Sequence, residues 1–171
     1  MTRFNKLIAA MVMGLVASAL LATPTATQAK PPVSTAEAKT PTPKKSAGEA
    51  QHRLMLQVDT NDAATMNLAL NNAANVDQYY GDRGEPVEIE VIAFGPGLHM
   101  LRDDTSPVKD RIKSMAENRP SVQFKACGNT QENMSKVEKK KIPLVAQASV
   151  VPSGVVRIME LQEQGWSYIR P

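Results

Sequence analysis

Cysteine is nearly absent: the 171-residue chain holds one, Cys127. A single thiol closes no intrachain bridge, so a disulfide scaffold is excluded. The two histidines, His52 and His99, stand far apart, and no CxxC or HExxH occurs, so no metal is expected. With one Trp, three Tyr and three Phe, rings are too scarce for a base-stacking platform. There is no P-loop and no Gly-x-Ser-x-Gly elbow. Thr60 and Thr65 in "DTNDAAT" offer hydroxyls to a phosphate, but Asp59 and Asp62 beside them would repel it. No organic cofactor is expected.

Positive charge is present but misplaced for nucleic acid. The chain carries a formal +3, yet residues 51–171 hold 14 Lys and Arg against 15 Asp and Glu, a net of −1. A nucleic-acid module carries its excess on the folded part, so nucleic acid is excluded as a partner.

The excess lies at the N-terminus. Arg3 and Lys6 precede an almost unbroken apolar run from Leu7 to Ala22, and small residues follow. That layout predicts a secretory signal peptide over 1–29, cut after Ala29, with Ala19 and Ala22 as alternative sites. The run is short for a membrane span. The mature protein is therefore expected to be periplasmic or secreted, without membrane attachment after cleavage. Residues 30–50 mix Pro31, Pro32, Pro41 and Pro43 with Lys, Thr, Ala and Ser. Such a segment buries too little surface to offset its ordering entropy and reads as a disordered tether. One domain, 51–171, remains.

Within it two periodicities alternate. "RLMLQVD", "VEIEVIAFG", "SVQFKAC", "VAQASVV" and "WSYIRP" read as strands. Helices are predicted from Asp62 to Tyr80, from Val108 to Arg119, over "NTQENMSKVEKKK" with Met134 and Val137 as its apolar stripe, and over "PSGVVRIMELQEQG", held by Val155, Ile158, Met159 and Gln162. "GPGLHMLRDDTSP" reads as a loop with at most one helical turn. This βαβαβαβαβ order predicts an α/β fold: a flavodoxin-like three-layer sandwich with a mainly parallel five-stranded sheet. Asn67, Asn71 and Asn75 line one face of the first helix, either solvated or bonded to a second subunit.

In a parallel sheet the strands end on one edge, so Asp59, Asn61, Gly95, Gly97, Cys127, Pro152 and Ser153 should line a common cleft there. Asn129 or Thr130 is expected to cap the helix after Cys127, placing the thiol beside free N–H groups that favour thiolate. Gly128 should leave room for a reactant, and Lys125 should project on the same side as Cys127. Burial as a small hydrophobe is the alternative fate of a strand-end cysteine.

Taken together, "FKACGNT", the C-terminal "VVPSGVVRIMELQEQGWSYIRP", "LMLQVDTNDAATMNLALNNAANV" and "EIEVIAFGPGLHML" resemble the DsrE/DsrF-like family over essentially all of 51–171. The resemblance implies a flavodoxin-like fold and a homo-oligomer, trimer or hexamer. In better understood members it also implies a cysteine that carries sulfane sulfur as a persulfide. Cys127 matches that cysteine's position in the exported single-domain branch. The implied partners are a sulfur donor or acceptor, protein or small thiol. A non-catalytic oligomeric module binding a small ligand or a protein is the alternative function.

Overall fold

The structure, a computed structural model, describes residues 52–171. The expected signal peptide and tether lie outside the described residues. The elements run β1 (His52–Val58), α1 (Ala63–Gly81), β2 (Val87–Ala93), a 3-10 segment (Gly95–Leu101), α2 (Lys109–Asn118), β3 (Val122–Cys127), α3 (Gly128–Glu138), β4 (Ala148–Val151), α4 (Gly154–Glu163) and β5 (Ser167–Ile169). The five strands form one sheet in the order β4-β3-β2-β1-β5, and every pairing between them is parallel. This is the flavodoxin-like α/β sandwich that the alternating periodicities predict.

Handedness then decides which helix covers which face. The steps β1 to β2, β2 to β3 and β3 to β4 all move one way across the sheet, and right-handed crossovers put their helices on one face. The step β4 to β5 moves back past three strands, so α4 lands on the other face. The packing follows. Leu54, Leu56 and Val58 of β1, Ile89 and Val91 of β2, and Val122, Phe124 and Ala126 of β3 meet Met66 and Leu70 of α1 and Ile112 of α2. The alternate residues Met55 and Ile92 face Ile158 and Leu161 of α4, with Phe94 and Trp166 beside them. Full burial of one Leu or Ile is worth roughly 1.5–3 kcal/mol. The first face therefore carries most of the stability, and α4 is held by few apolar contacts.

Four elements depart from expectation. Gly95–Leu101 is not a plain loop: Leu98, Met100 and Leu101 are fully buried, and the three-residue spacing of Leu98 and Leu101 suits a 3-10 turn. In α3 nothing is fully buried, and Val137 is 81 % exposed, so the expected stripe reduces to Met134. In α4 the inward residues are Gly154, Ile158 and Leu161, while Val155, Val156 and Met159 are about half exposed. The phase is set by Gly154 closing on the sheet, and i, i+4, i+7 follows. β4 begins only at Ala148, because Leu144 bridges Arg102 antiparallel and Val145 donates to the Leu101 carbonyl. On α1, Asn67 and Asn71 bond the guanidinium of Arg111 on α2, so these two amides are engaged within the chain.

Candidate functional site at the carboxyl edge of the sheet

Cys127 ends β3 and is itself the N-cap of α3, with extended backbone at φ −70° and ψ 114°. The helix thus starts earlier than a cap at Asn129 or Thr130 implies. An N-cap side chain normally accepts from the N–H groups of the second and third helical residues. Here those are Asn129 and Thr130, and the sulfur stands where a capping oxygen would. The thiol completes no cap hydrogen bond of ordinary geometry, as expected of a weak, large acceptor. Period-2 alternation turns Cys127 away from Ala126 and the larger core, towards the α4 face. There it pairs in register with Val151 of β4, three residues before α4 begins at Gly154.

Opposing effects act on the thiol. Burial pushes it up. The Thr130 hydroxyl and then the N–H groups of Gly154, Thr130 and Asn129 push it down by more, so Cys127 is held below the ordinary thiol value. The Asn129 N–H is shared with the Pro152 carbonyl at 3.1 Å, which fits its place as the weakest of these donors. Thr130 Oγ1 accepts the Gly95 N–H at 3.0 Å. With that lone pair filled, its own proton is free to point at the sulfur. Gly95 sits at φ +52°, a conformation that glycine adopts without strain.

Access is less open than the sequence suggests. Cys127 is 5 % exposed, and a Cβ at Gly128 would meet Val150 Cγ1 and the Val151 carbonyl at 3.2 Å, so β4 fills the space expected for a reactant. Yet Cys127 belongs to neither apolar cluster. The groups that favour its charged form are backbone amides and a hydroxyl.

The remaining expected residues divide. Lys125 does project from the same strand, but its amine bonds Gln123 Oε1 at 2.8 Å and Ser149 Oγ at 3.1 Å. Ser153 caps α4, accepting from the Val156 N–H at 3.5 Å. Asp59 lies two strands away, bound to Gln57 at 3.0 Å and to Arg170 at 2.8 Å. Asn61 is exposed beyond it. Gly97 presses on the end of β1, where a Cβ would stand 2.1 Å from the Val58 carbonyl oxygen. The edge thus gathers two groups: Cys127, Thr130, Gly95 and Gly154 at β3, and Asp59, Gln57 and Arg170 at β1 and β5.

Two hollows open near this edge, neither with Cys127 on its walls. One of about 210 Å³ is lined by Val151, Pro152, Ser153, Val156, Arg157 and Glu160. Another of about 450 Å³, largely apolar, lies between the 3-10 segment and α3, with Pro96, Thr130, Met134 and Val137 on its walls. A third of about 340 Å³, with His52, Tyr80 and Ser167 among its walls, opens at the opposite end of the sheet, far from this chemistry. His52 stacks on Tyr80 at 3.7 Å and bonds Glu85 at 2.8 Å, while His99 bonds Thr105 at 2.8 Å.

Two polar clusters escaped the sequence reading. Glu90 of β2 is 3 % exposed and bonds Arg157 of α4 at 2.9 and 2.5 Å. Arg102, 1 % exposed, bonds Asp104 at 2.8 Å and Glu138 at 2.5 Å, and Lys140 joins both carboxylates. It ties the segment after the 3-10 turn to the end of α3. The one sequence signal for Glu90 is a carboxylate inside "VEIEVIA", a strand otherwise built for burial on both faces.

Comparison with known proteins places this geometry. The model of the DsrE/DsrF-like family matches residues 52–171. A solved protein of unknown function from Methanobacterium thermoautotrophicum is 30 % identical, with a TM-score of 0.60, and the match covers 70 % of this chain and 99 % of that one. No curated protein matches the chain. A parallel sheet in the order β4-β3-β2-β1-β5, with a family match across every described residue, settles the assignment: the chain belongs to the DsrE/DsrF-like family.

Proposed function

We propose that this protein is an exported sulfur carrier that holds sulfane sulfur as a persulfide on Cys127. The observation that carries the reading is the place of Cys127 at the end of β3 as the N-cap of α3, where the helix start and the Thr130 hydroxyl outweigh burial and hold the thiol below its ordinary value. A thiolate is the attacking species in sulfur exchange. Cys127 S⁻ attacks the outer sulfur of a persulfide or polysulfide donor. A new S–S bond forms on Cys127, the donor's S–S bond breaks, and its electron pair leaves on the donor thiolate. An acceptor thiolate repeats the step on the outer sulfur of the Cys127 persulfide and returns the Cys127 thiolate. Sulfane sulfur moves and no outside oxidant is consumed. Half-exposed Val150, Val155, Val156 and Met159 around this edge support assembly into a homo-oligomer, and the N-terminal sequence supports export to the periplasm or beyond.

Mass spectrometry after polysulfide treatment tests the carrier. Wild type gains one sulfur, about 32 Da, and Cys127→Ala does not; equal gain in both, or none in wild type, defeats the proposal. The 5 % exposure of Cys127 favours a second reading, a non-catalytic oligomeric binding module in which the thiol is packing. Iodoacetamide separates the two: the carrier is alkylated in its folded state at neutral pH, the packing residue only on unfolding. Light scattering reads the assembly.

A further inference from the structure

We infer that the Glu90–Arg157 pair is a positioning device for Cys127: it pins the first turns of α4 to the sheet and so keeps that helix start beside the end of β3, where Cys127 pairs with Val151 and Asn129 donates to the Pro152 carbonyl. The inference rests on the carrier reading in one respect, that the Cys127 thiolate is the reacting species.

Its ground is a placement that stability alone does not explain. Glu90 sits in the middle of β2 under α4, 3 % exposed, between Met55 of β1 and Gln123 of β3 in register, with Ile92 next on its face. A buried carboxylate is costly unless paired, and a buried ion pair is often no better than two well-packed apolar side chains. What the pair does supply is direction. Arg157 Nε and Nη2 reach both Glu90 oxygens, at 2.9 and 2.5 Å, a two-pronged bond that fixes position and angle together. The apolar contacts of α4, through Ile158 and Leu161, are non-directional and tolerate sliding.

Arg157 follows Gly154 by three residues, so both lie on one face of α4. Fixing the guanidinium therefore fixes the N-terminal amide one turn away. The fit there is close: a Cβ on Gly154 would stand 3.0 Å from the Phe94 ring. A helix shifted along the sheet would carry that N-terminus away from Cys127. Other charges on this face are Lys125, held by Gln123 and Ser149, Glu88 of β2, Arg53 of β1, which donates to the Gln164 carbonyl at 2.8 Å, and Glu160, 3.8 Å from Arg157.

The test uses the full chain and compares Arg157→Met with the paired variant Glu90→Leu/Arg157→Met. The paired variant removes two opposite charges together, so the net field at the sulfur changes little, and it restores apolar packing. Melting temperature reads stability, and the pH profile of iodoacetamide alkylation reads the thiol. The expected result is a paired variant that melts near wild type while its alkylation at neutral pH falls roughly three- to tenfold. Wild-type alkylation in the folded paired variant would overturn the inference, whether or not Arg157→Met folds. The two ideas fail separately. Wild type that takes up no sulfur sinks the carrier but leaves the alkylation difference. A persulfide on Cys127 with unchanged alkylation sinks the positioning role alone.

Discussion

Replacing Thr130 by Val keeps the shape of the side chain and deletes the hydroxyl that most lowers the Cys127 thiol. A hydrogen bond to a charged acceptor is worth about 1.5–3 kcal/mol. Sulfur is a weak acceptor, so the low end applies, and about 1.4 kcal/mol is a factor of ten in an ionisation equilibrium. The variant should hold roughly tenfold less thiolate at pH values below the wild-type midpoint. A more basic thiolate is also a better nucleophile, with a Brønsted slope near 0.4–0.5. The rate of exchange with a small disulfide probe should therefore fall only roughly three- to fourfold at low pH, and should exceed wild type once both thiols are ionised. Crossing rate profiles are the signature, and Thr130→Ser should restore the wild-type curve. Superimposable profiles for wild type and Thr130→Val, with the fold intact by circular dichroism, would refute the reasoning.

The same shift has a stability consequence with a definite sign. A thiol held low in the folded state contributes stability that is complete above its unfolded value, near 9.0, and is lost as pH falls through the folded midpoint. Thr130→Val should thus cost more stability at high pH than at low pH. The Gly95 N–H loses its partner at every pH and adds a constant cost of about 1 kcal/mol.

Three further outcomes check other parts of the structure. Gly97→Ala would drive a Cβ to 2.1 Å from the Val58 carbonyl oxygen, where backbone must move, so a loss above about 3 kcal/mol in urea unfolding is expected. Hydrogen bonds from Arg102 hold Glu138 down at about 2 from its ordinary 4.5, so its contribution is full above 4.5 and lost as pH falls through 2; Glu138→Gln should flatten the fall of the urea midpoint across that window. Leu161→Ala, at a fully buried position on α4, should cost about 2–5 kcal/mol, whereas Val137→Ser, on the outer face of α3, should change stability by less than about 0.5 kcal/mol.

Much of the architecture was legible because parallel strands and their helices differ in period. The alternation of Val122, Phe124 and Ala126 against Gln123, Lys125 and Cys127 matches the observed β3 residue for residue. The edge position of Cys127 then follows from topology. What stayed hidden depends on contacts between distant segments. Leu98 and Leu101 are buried because the 3-10 segment packs against β1, β2 and β3 in the larger core, and the flanking Gly95, Pro96 and Gly97 look like turn punctuation. In α4 five apolar residues compete for the inward face, and the approach of Gly154 to Phe94 selects Ile158 over Val155 and Met159. Glu90 and Arg157 are 67 residues apart, with no local pattern linking them.

The reversal in strand order is what gives the cysteine its setting. A helix following a strand always brings its N-terminus to that strand's end, so α3 supplies Asn129 and Thr130 in any such fold. On its own that is one partial positive charge on one side. Here the chain leaves β4, the neighbour of β3, and turns back across the opposite face, so the start of α4 passes the end of β3 as well. Gly154 is the result: a second helix N-terminus within reach of the same sulfur. The residue must also be in the right phase. Ala126, one position earlier, points into the larger core among Phe124 and Val91, whereas Cys127 points to the face that α4 crosses. Thiol acidity at this edge therefore comes from the Thr130 hydroxyl together with backbone placement, while the nearest lysine of the strand is tied to Gln123 and Ser149.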